Sequence, residues 1–179
     1  HFGGYLPAVV DVTDALELGQ DNLIAVWSDN SNDPNYPPGK QQEVLDFTYF
    51  GGIYRDCWLV AHNQVFITDP NYENEEAGGG LFVAYDNVSD LSAEVLLKIQ
   101  IRNSGKNAFK GVVEYQLQQP DGQQIAFLNS VIRVKSGKAV SSSDKLTVKN
   151  PMLWSPETPT LYNLIVRIRD GQGNVINGY

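Results

Sequence analysis

In Glu94-Val95-Leu96-Leu97-Lys98-Ile99-Gln100-Ile101-Arg102, an apolar side chain stands at every second position from Val95 to Ile101. A strand points successive side chains to opposite faces, so Val95, Leu97, Ile99 and Ile101 share one face. Val113, Tyr115 and Leu117 repeat the pattern. So do Tyr162, Leu164, Val166 and Ile168, with Arg167 and Arg169 on the opposite face. Turn signals separate these runs: Ser104-Gly105, Pro120-Asp121-Gly122, Ser136-Gly137 and Asp170-Gly171-Gln172-Gly173. Short strands with one apolar face each describe two antiparallel sheets packed together. An all-β chain is predicted, with an immunoglobulin-like β-sandwich over residues 64–179.

Residues 1–63 are less regular. Val9–Val12, Leu23–Trp27, Phe47–Tyr49 and Cys57–Ala61 read as strands. Thr13 is placed to cap one helical turn, Asp14–Leu18, ended by Gly19. The stretch from Asp29 to Gln42, with Pro34, Pro37, Pro38 and Gly39, is too broken for a regular element. So few strands make a poor free-standing core, so these sheets are expected to need partners from outside the chain. The break between the units is placed near His62-Asn63. Asn71–Gly80, acidic and ending in three glycines, reads as a mobile loop whose Glu73, Glu75 and Glu76 are solvated.

Charge divides the chain in the same place. Residues 1–60 hold nine acids against Lys40 and Arg55, a balance of −7, whereas the rest holds twelve acids against eleven bases, −1. A net charge of −8 argues against nucleic acid or an anionic membrane as partner. No run approaches the roughly 20 apolar residues that a membrane helix needs. Cys57 is the single cysteine, expected as a buried thiol in Cys57-Trp58-Leu59-Val60, and with two histidines it cannot build an all-His/Cys zinc site. Asp29-Asn30-Ser31-Asn32-Asp33 spaces its oxygens as an EF-hand does. Pro34 stands where glycine is required and Lys40 where glutamate is, so that reading fails.

The most specific segment is Asp46-Phe47-Thr48-Tyr49-Phe50-Gly51-Gly52-Ile53-Tyr54-Arg55-Asp56-Cys57-Trp58-Leu59. Gly51-Gly52 permits a sharp bend, and an Arg55–Asp56 ion pair is expected to brace it. Tyr54 and Trp58 are expected as core or interface aromatics. The order Gly52-Ile53-Tyr54-Arg55-Asp56-x-Trp58-Leu59 resembles the segment closing the sugar-binding jelly-roll domain of glycoside hydrolase family 2. His1-x-Gly3-Gly4-Tyr5-x-Pro7, Asp11-x-Thr13, Gly19-x-x-Asn22 and Val26-x-x-Asp29-Asn30 resemble its preceding strands. Leu153-Trp154-Ser155-Pro156-Glu157-x-Pro159-x-Leu161-Tyr162 resembles the approach to the last strands of that family's immunoglobulin-like domain. Trp154 is expected to anchor its turn onto the sandwich.

The resemblance implies a partial jelly roll over 1–63 and the immunoglobulin-like domain over 64–179, in an enzyme most like a β-galactosidase. It implies that the two hydrolytic glutamates belong to a TIM barrel following the second domain, a fold of about 250 residues. This chain is therefore expected to hydrolyse nothing alone and to hold no catalytic residue, cofactor or metal. It further implies that Asp46 reaches into the barrel's mouth and binds the terminal sugar of a β-galactoside or related glycoside. A cation, sodium or magnesium, can join it there in the full enzyme. Both domains are expected to be truncated, with assembly into a homo-oligomer left open and a periplasmic or secreted setting placed ahead of a cytoplasmic one. The competing reading is an independent carbohydrate-binding or adhesin-type β-sandwich module.

Overall fold

The structure, a computed structural model, describes residues 6–47, 50–76 and 78–179. The chain is all-β, and its only α-helix among the described residues is a single turn. It divides into two compact units, His1–Val60 and Ala61–Tyr179.

Among its described residues the second unit holds eight strands: β1 (Val65–Ile67), β2 (Leu81–Asp86), β3 (Ser92–Asn103), β4 (Phe109–Gln118), β5 (Gln124–Val134), β6 (Lys138–Lys149), β7 (Asn163–Arg169) and β8 (Val175–Gly178). All pairings are antiparallel. One sheet is centred on β3, which pairs with β6 along one edge. Its other edge is shared by β1, from Val65 opposite Asn103, and β2, from Leu81 opposite Ile99. The second sheet runs β5-β4-β7-β8.

The alternation read from the sequence becomes the packed face. Val95, Leu97, Ile99 and Ile101 are buried from one sheet; Val113, Tyr115, Leu117, Val166 and Ile168 meet them from the other. Side-chain bonds tie the two sheets at their margins. Asn177 of β8 accepts the Ile67 N–H at 3.0 Å, and Asn63 Nδ2 donates to the Ile176 carbonyl. At the other margin the buried Tyr115 hydroxyl donates to Asp144 Oδ2 on β6 at 3.1 Å. Burial, and then the Asp144 carboxylate, push that phenol above its ordinary value.

On the outer face of the second sheet, Glu114 accepts from Arg169 Nε at 2.8 Å and from Arg167 Nη1 at 3.0 Å. The Arg169 bond is the main reason its carboxyl lies below the usual range. A depressed native value means the stabilisation is present above the carboxyl's unfolded value and is lost as pH falls through the native one. Unfolding in urea is therefore expected to show an acid-side loss of stability that Glu114→Gln reduces. An identical pH profile in the variant would remove Glu114 from the cause.

Between β1 and β2 the expected mobile loop is a docked strap. Asp69 caps the short helix α1 (Pro70–Glu73), accepting from the N–H groups of Asn71 and Tyr72. Glu73 is nearly buried and receives Arg102 in a two-point bond, with Nε to Oε1 at 3.0 Å. Glu75 accepts from Gln100 Nε2 at 2.9 Å, Gln100 Oε1 accepts from Thr68, and Thr68 Oγ1 accepts the Gly80 N–H. Two of the three acids read as solvated are thus bonded to β3. Composition suggested mobility, but partners on a neighbouring strand, distant in sequence, hold the strap.

The first unit differs more from expectation. Val9–Val12, Leu23–Trp27 and Cys57–Ala61 form no strand; of Phe47–Tyr49, residues 48 and 49 lie outside the described residues, as does the motif at 1–5. Among its described residues the regular elements are two 3₁₀ turns, Thr13–Ala15 and Gln42–Val44. The first replaces the helical turn expected to Leu18: Val12 stands at its cap, and Asp11 accepts the Thr13 N–H. A strand needs a neighbour to take its backbone hydrogen bonds, and extended segments this few do not supply one another. Leu23 is 96% exposed and Trp27 89%, so these apolar residues have no core to enter.

Candidate functional site

Asp46 lies between two positions, Gln42 and Gly51, that each approach the segment Asn30–Asn32. At the first, Gln42 donates its N–H to Asn32 Oδ1 at 3.2 Å and its Nε2 to the Asn30 carbonyl at 3.4 Å. At the other, Gly51 packs against Asn30, where an added Cβ would stand 2.6 Å from Asn30 Cγ. Gly52 follows with φ +83°, a backbone state that side chains disfavour. The bend expected from the two glycines is present, and its reason is this approach to Asn30.

That segment is shaped by its own acids. Asp29 Oδ1 accepts the Ser31 N–H at 2.8 Å, and that bond holds the Asp29 carboxyl below its usual range. Asp33 does the same for Asn35, accepting both its backbone and side-chain N–H. Asp46 is exposed and meets no protein donor among the described residues. An ionised carboxylate in that position can accept from two hydroxyls of a ligand.

The remaining motif residues depart from expectation. Arg55 forms no ion pair with Asp56; its guanidinium lies 5.6 Å from the ring centre of Tyr54. Consecutive side chains of a non-helical chain diverge, which keeps a neighbouring Arg and Asp apart. Cys57 is exposed, because the strand meant to bury it does not form. Tyr54 and Trp58 are likewise exposed within this chain, and Trp154 is 58% exposed. Among the described residues no group of three or more His, Cys, Asp or Glu side chains is placed to hold a metal ion.

Comparison with known proteins decides the family. The family model described as Glycosyl hydrolases family 2 matches residues 80–179, more than half of the chain. The chain belongs to glycosyl hydrolase family 2. A putative β-glucuronidase of Formosa agariphila is 32% identical over 177 residues, covering 99% of this chain and 19% of that protein. A β-galactosidase of Thermoanaerobacter pseudethanolicus is 28% identical over 169 residues, 94% of this chain and 20% of that protein. Among solved structures, a putative β-galactosidase from Bacteroides fragilis matches with a TM-score of 0.78 at 25% identity, over 94% of this chain and 24% of that one. The chain spans about a fifth of the length of the curated relatives it matches.

Within this family 2 chain, sequence reading singled out Asp46 and the two glycines but gave no role to the residues that meet on either side of them. Asn32 and Gln42 were read only as parts of a polar loop, and Asn30 as the end of the Val26-x-x-Asp29-Asn30 motif. Their signal was the run of amide and carboxylate side chains opposite a Gly-Gly pair, without the pairing between them. Glu114 was also missed, although alternation puts it on the face that carries Arg167 and Arg169.

Proposed function

We propose that this chain is a non-catalytic region of a retaining exo-β-glycosidase, which helps to position the terminal sugar and scaffolds a TIM-barrel catalytic domain. In this reading the first unit is part of a jelly-roll domain and the second an immunoglobulin-like sandwich. The observation that carries it is Asp46: an exposed carboxylate that meets no protein donor among the described residues, four residues after Gln42, which is bonded to Asn30 and Asn32, in a chain of this family. In the second unit Glu73 is bonded to Arg102, Glu94 to Lys145 and Glu114 to two arginines.

The named relatives divide between β-glucuronidases and β-galactosidases. Charge favours the neutral glycon, because a unit with a balance of −7 repels a glucuronate. A β-galactoside is accordingly the proposed substrate. Among the described residues no cluster of metal-ligating side chains surrounds Asp46, so Asp46 is the ligand that this chain would offer a cation near the sugar. The full-length protein is expected to hydrolyse p-nitrophenyl β-D-galactoside faster than the β-D-glucuronide, and this chain alone to hydrolyse neither. Hydrolysis by the isolated chain would overturn the non-catalytic reading, and preference for the glucuronide would overturn the glycon.

A further inference from the structure

The strand registers gather the turns 104–108, 135–137 and 170–174 at one end of the β-sandwich, and the turns 87–91, 119–123 and 150–162 at the other. Charge separates between them. The turns of the second end hold Asp90, Asp121 and Glu157 and no base. The first end carries Lys106, Lys110, Arg133, Lys135 and Lys138 in its turns and the strand residues beside them, against Asp170 as the one acid of its turns. All five cations are exposed, and among the described residues none is ion-paired. The Asp170 carboxylate is turned into its own loop, accepting the N–H groups of Gln172 and Asn174 at 2.9 Å. A chain of net charge −8 thus keeps a basic end that the average conceals.

These cations stand on one fixed surface. Ser136 Oγ donates to the Gly105 carbonyl at 2.7 Å, and the buried Asn103 Nδ2 donates to the carbonyls of Asn107 and Val134. Those bonds clasp the turns of Lys106 and Lys135 together. Lys110 lies directly opposite Arg133 in the β4–β5 ladder, where like charges repel. Glu114, the acid on that outer face, is held by Arg167 and Arg169 and offers them no relief. Beside Lys110 opens a depression of about 390 Å³, lined also by Val112, Asn129, Val131, Arg169 and the loop after it. Small-molecule sites usually measure about 300–1,000 Å³. Val112 and Val131, paired across the strands, give it apolar surface. Arg169 is already fixed by Glu114 and by the Gly173 carbonyl at 3.0 Å, so binding there orders little.

We propose that this basic end binds an acidic oligosaccharide, with one sugar in the depression and the carboxylate or sulfate groups of the glycan meeting Lys110, Arg133 and the lysines of the turns. A pyranose ring offers an apolar C–H face to the paired valines and hydroxyls to Asn129. Its acid groups recur once in one or two sugars, a spacing that a few separate cations can answer. Duplex nucleic acid, with a charge about every 1.7 Å, would meet the repulsion of the whole chain instead. The proposal rests on the reading of the chain as part of a glycosidase and deepens it: the glycan ends in a neutral sugar and carries acidic residues further along.

The test is calorimetric binding of this chain to oligogalacturonate, to sulfated dextran oligomers and to a neutral galacto-oligosaccharide. Both acidic oligomers are expected to bind, less tightly as salt rises, and the neutral one not to bind. Tighter binding of oligogalacturonate assigns carboxylates as the natural groups, and tighter binding of the sulfated oligomer assigns sulfate esters. Lys110→Gln with Arg133→Gln is expected to weaken the preferred oligomer by roughly 3- to 10-fold. Lys98→Gln with Lys149→Gln removes the same charge elsewhere on exposed strand positions and should leave binding unchanged. Equal weakening by the two pairs would overturn the proposal, as would failure of both acidic oligomers to bind. A salt-sensitive dimer that the Lys110 and Arg133 pair abolishes, without glycan binding, would also overturn it and assign the end to an acidic surface of a second copy. Binding is read without hydrolysis, so the result is separate from that of Asp46 and of the proposed activity.

Discussion

If the proposed function holds, replacing Asp46 by alanine in the full-length protein is expected to lower kcat/KM for a β-glycoside substrate by roughly 30- to 1,000-fold. The reasoning starts from solvation. In this chain the Asp46 carboxylate is exposed and bonded to no described residue, so water satisfies it. A bound sugar displaces that water and must return hydrogen bonds from its own hydroxyls, which are then charge-assisted. In the proposed role alanine would leave those hydroxyls without an acceptor, and the penalty is large where the catalytic domain excludes water from them. Asp46→Asn keeps the shape and one acceptor, so it should lose less than alanine. Steady-state kinetics on both variants, with circular dichroism to show an unchanged fold, decides the matter. Wild-type kcat/KM in the alanine variant would remove Asp46 from the sugar site.

The largest stability effect is expected at Ile99. It has no exposed surface and lies at the centre of β3, opposite Leu81 on one side and Ser142 on the other. Ile99→Ala removes buried carbon from a position that close-packed neighbours on both sheets cannot collapse to fill. The second unit should lose about 2–5 kcal/mol, against about 0.5–1.5 kcal/mol for Ile99→Val. Urea unfolding of the chain, followed by its far-ultraviolet signal, measures both. Equal losses for the two variants would show that the site relaxes around the gap.

The second unit was legible because its signal is local. Alternation in the β3 run assigns each side chain to a face without any knowledge of the partner strand, and burial of Val95, Leu97, Ile99 and Ile101 follows. What alternation cannot report is register. Glu114 meets Arg167 only because β4 pairs with β7 in that alignment, and Glu73 meets Arg102 only because the strap lies along β3. The strap therefore read as loose, being acidic and glycine-rich. Strands in the first unit failed for a related reason. Leu23–Trp27 has the residues of a strand, but a strand is a property of a pair, and the described residues offer it no edge.

The candidate site shows the same division. Asp46 and Gly51-Gly52 were recognised from their order along the chain, whereas the clasp by Asn30, Asn32 and Gln42 depends on a meeting of loops. Arg55 and Asp56 show the converse error, since adjacency in sequence was taken for contact. The exposed Trp58 and Trp154 belong with them: aromatic character alone says nothing about what covers a ring.

One edge of β3 is shared by β1 and β2, each with its own ladder of hydrogen bonds. The residues from 68 to 80 thus interrupt what is geometrically a single edge strand. Neither ladder's alignment depends on the interval's length, so residues can be added to or removed from it while both strands keep their partners. That makes the interval a natural place to graft a foreign peptide or affinity epitope, provided Thr68, Gln100 and Arg102 are given other partners or left facing water.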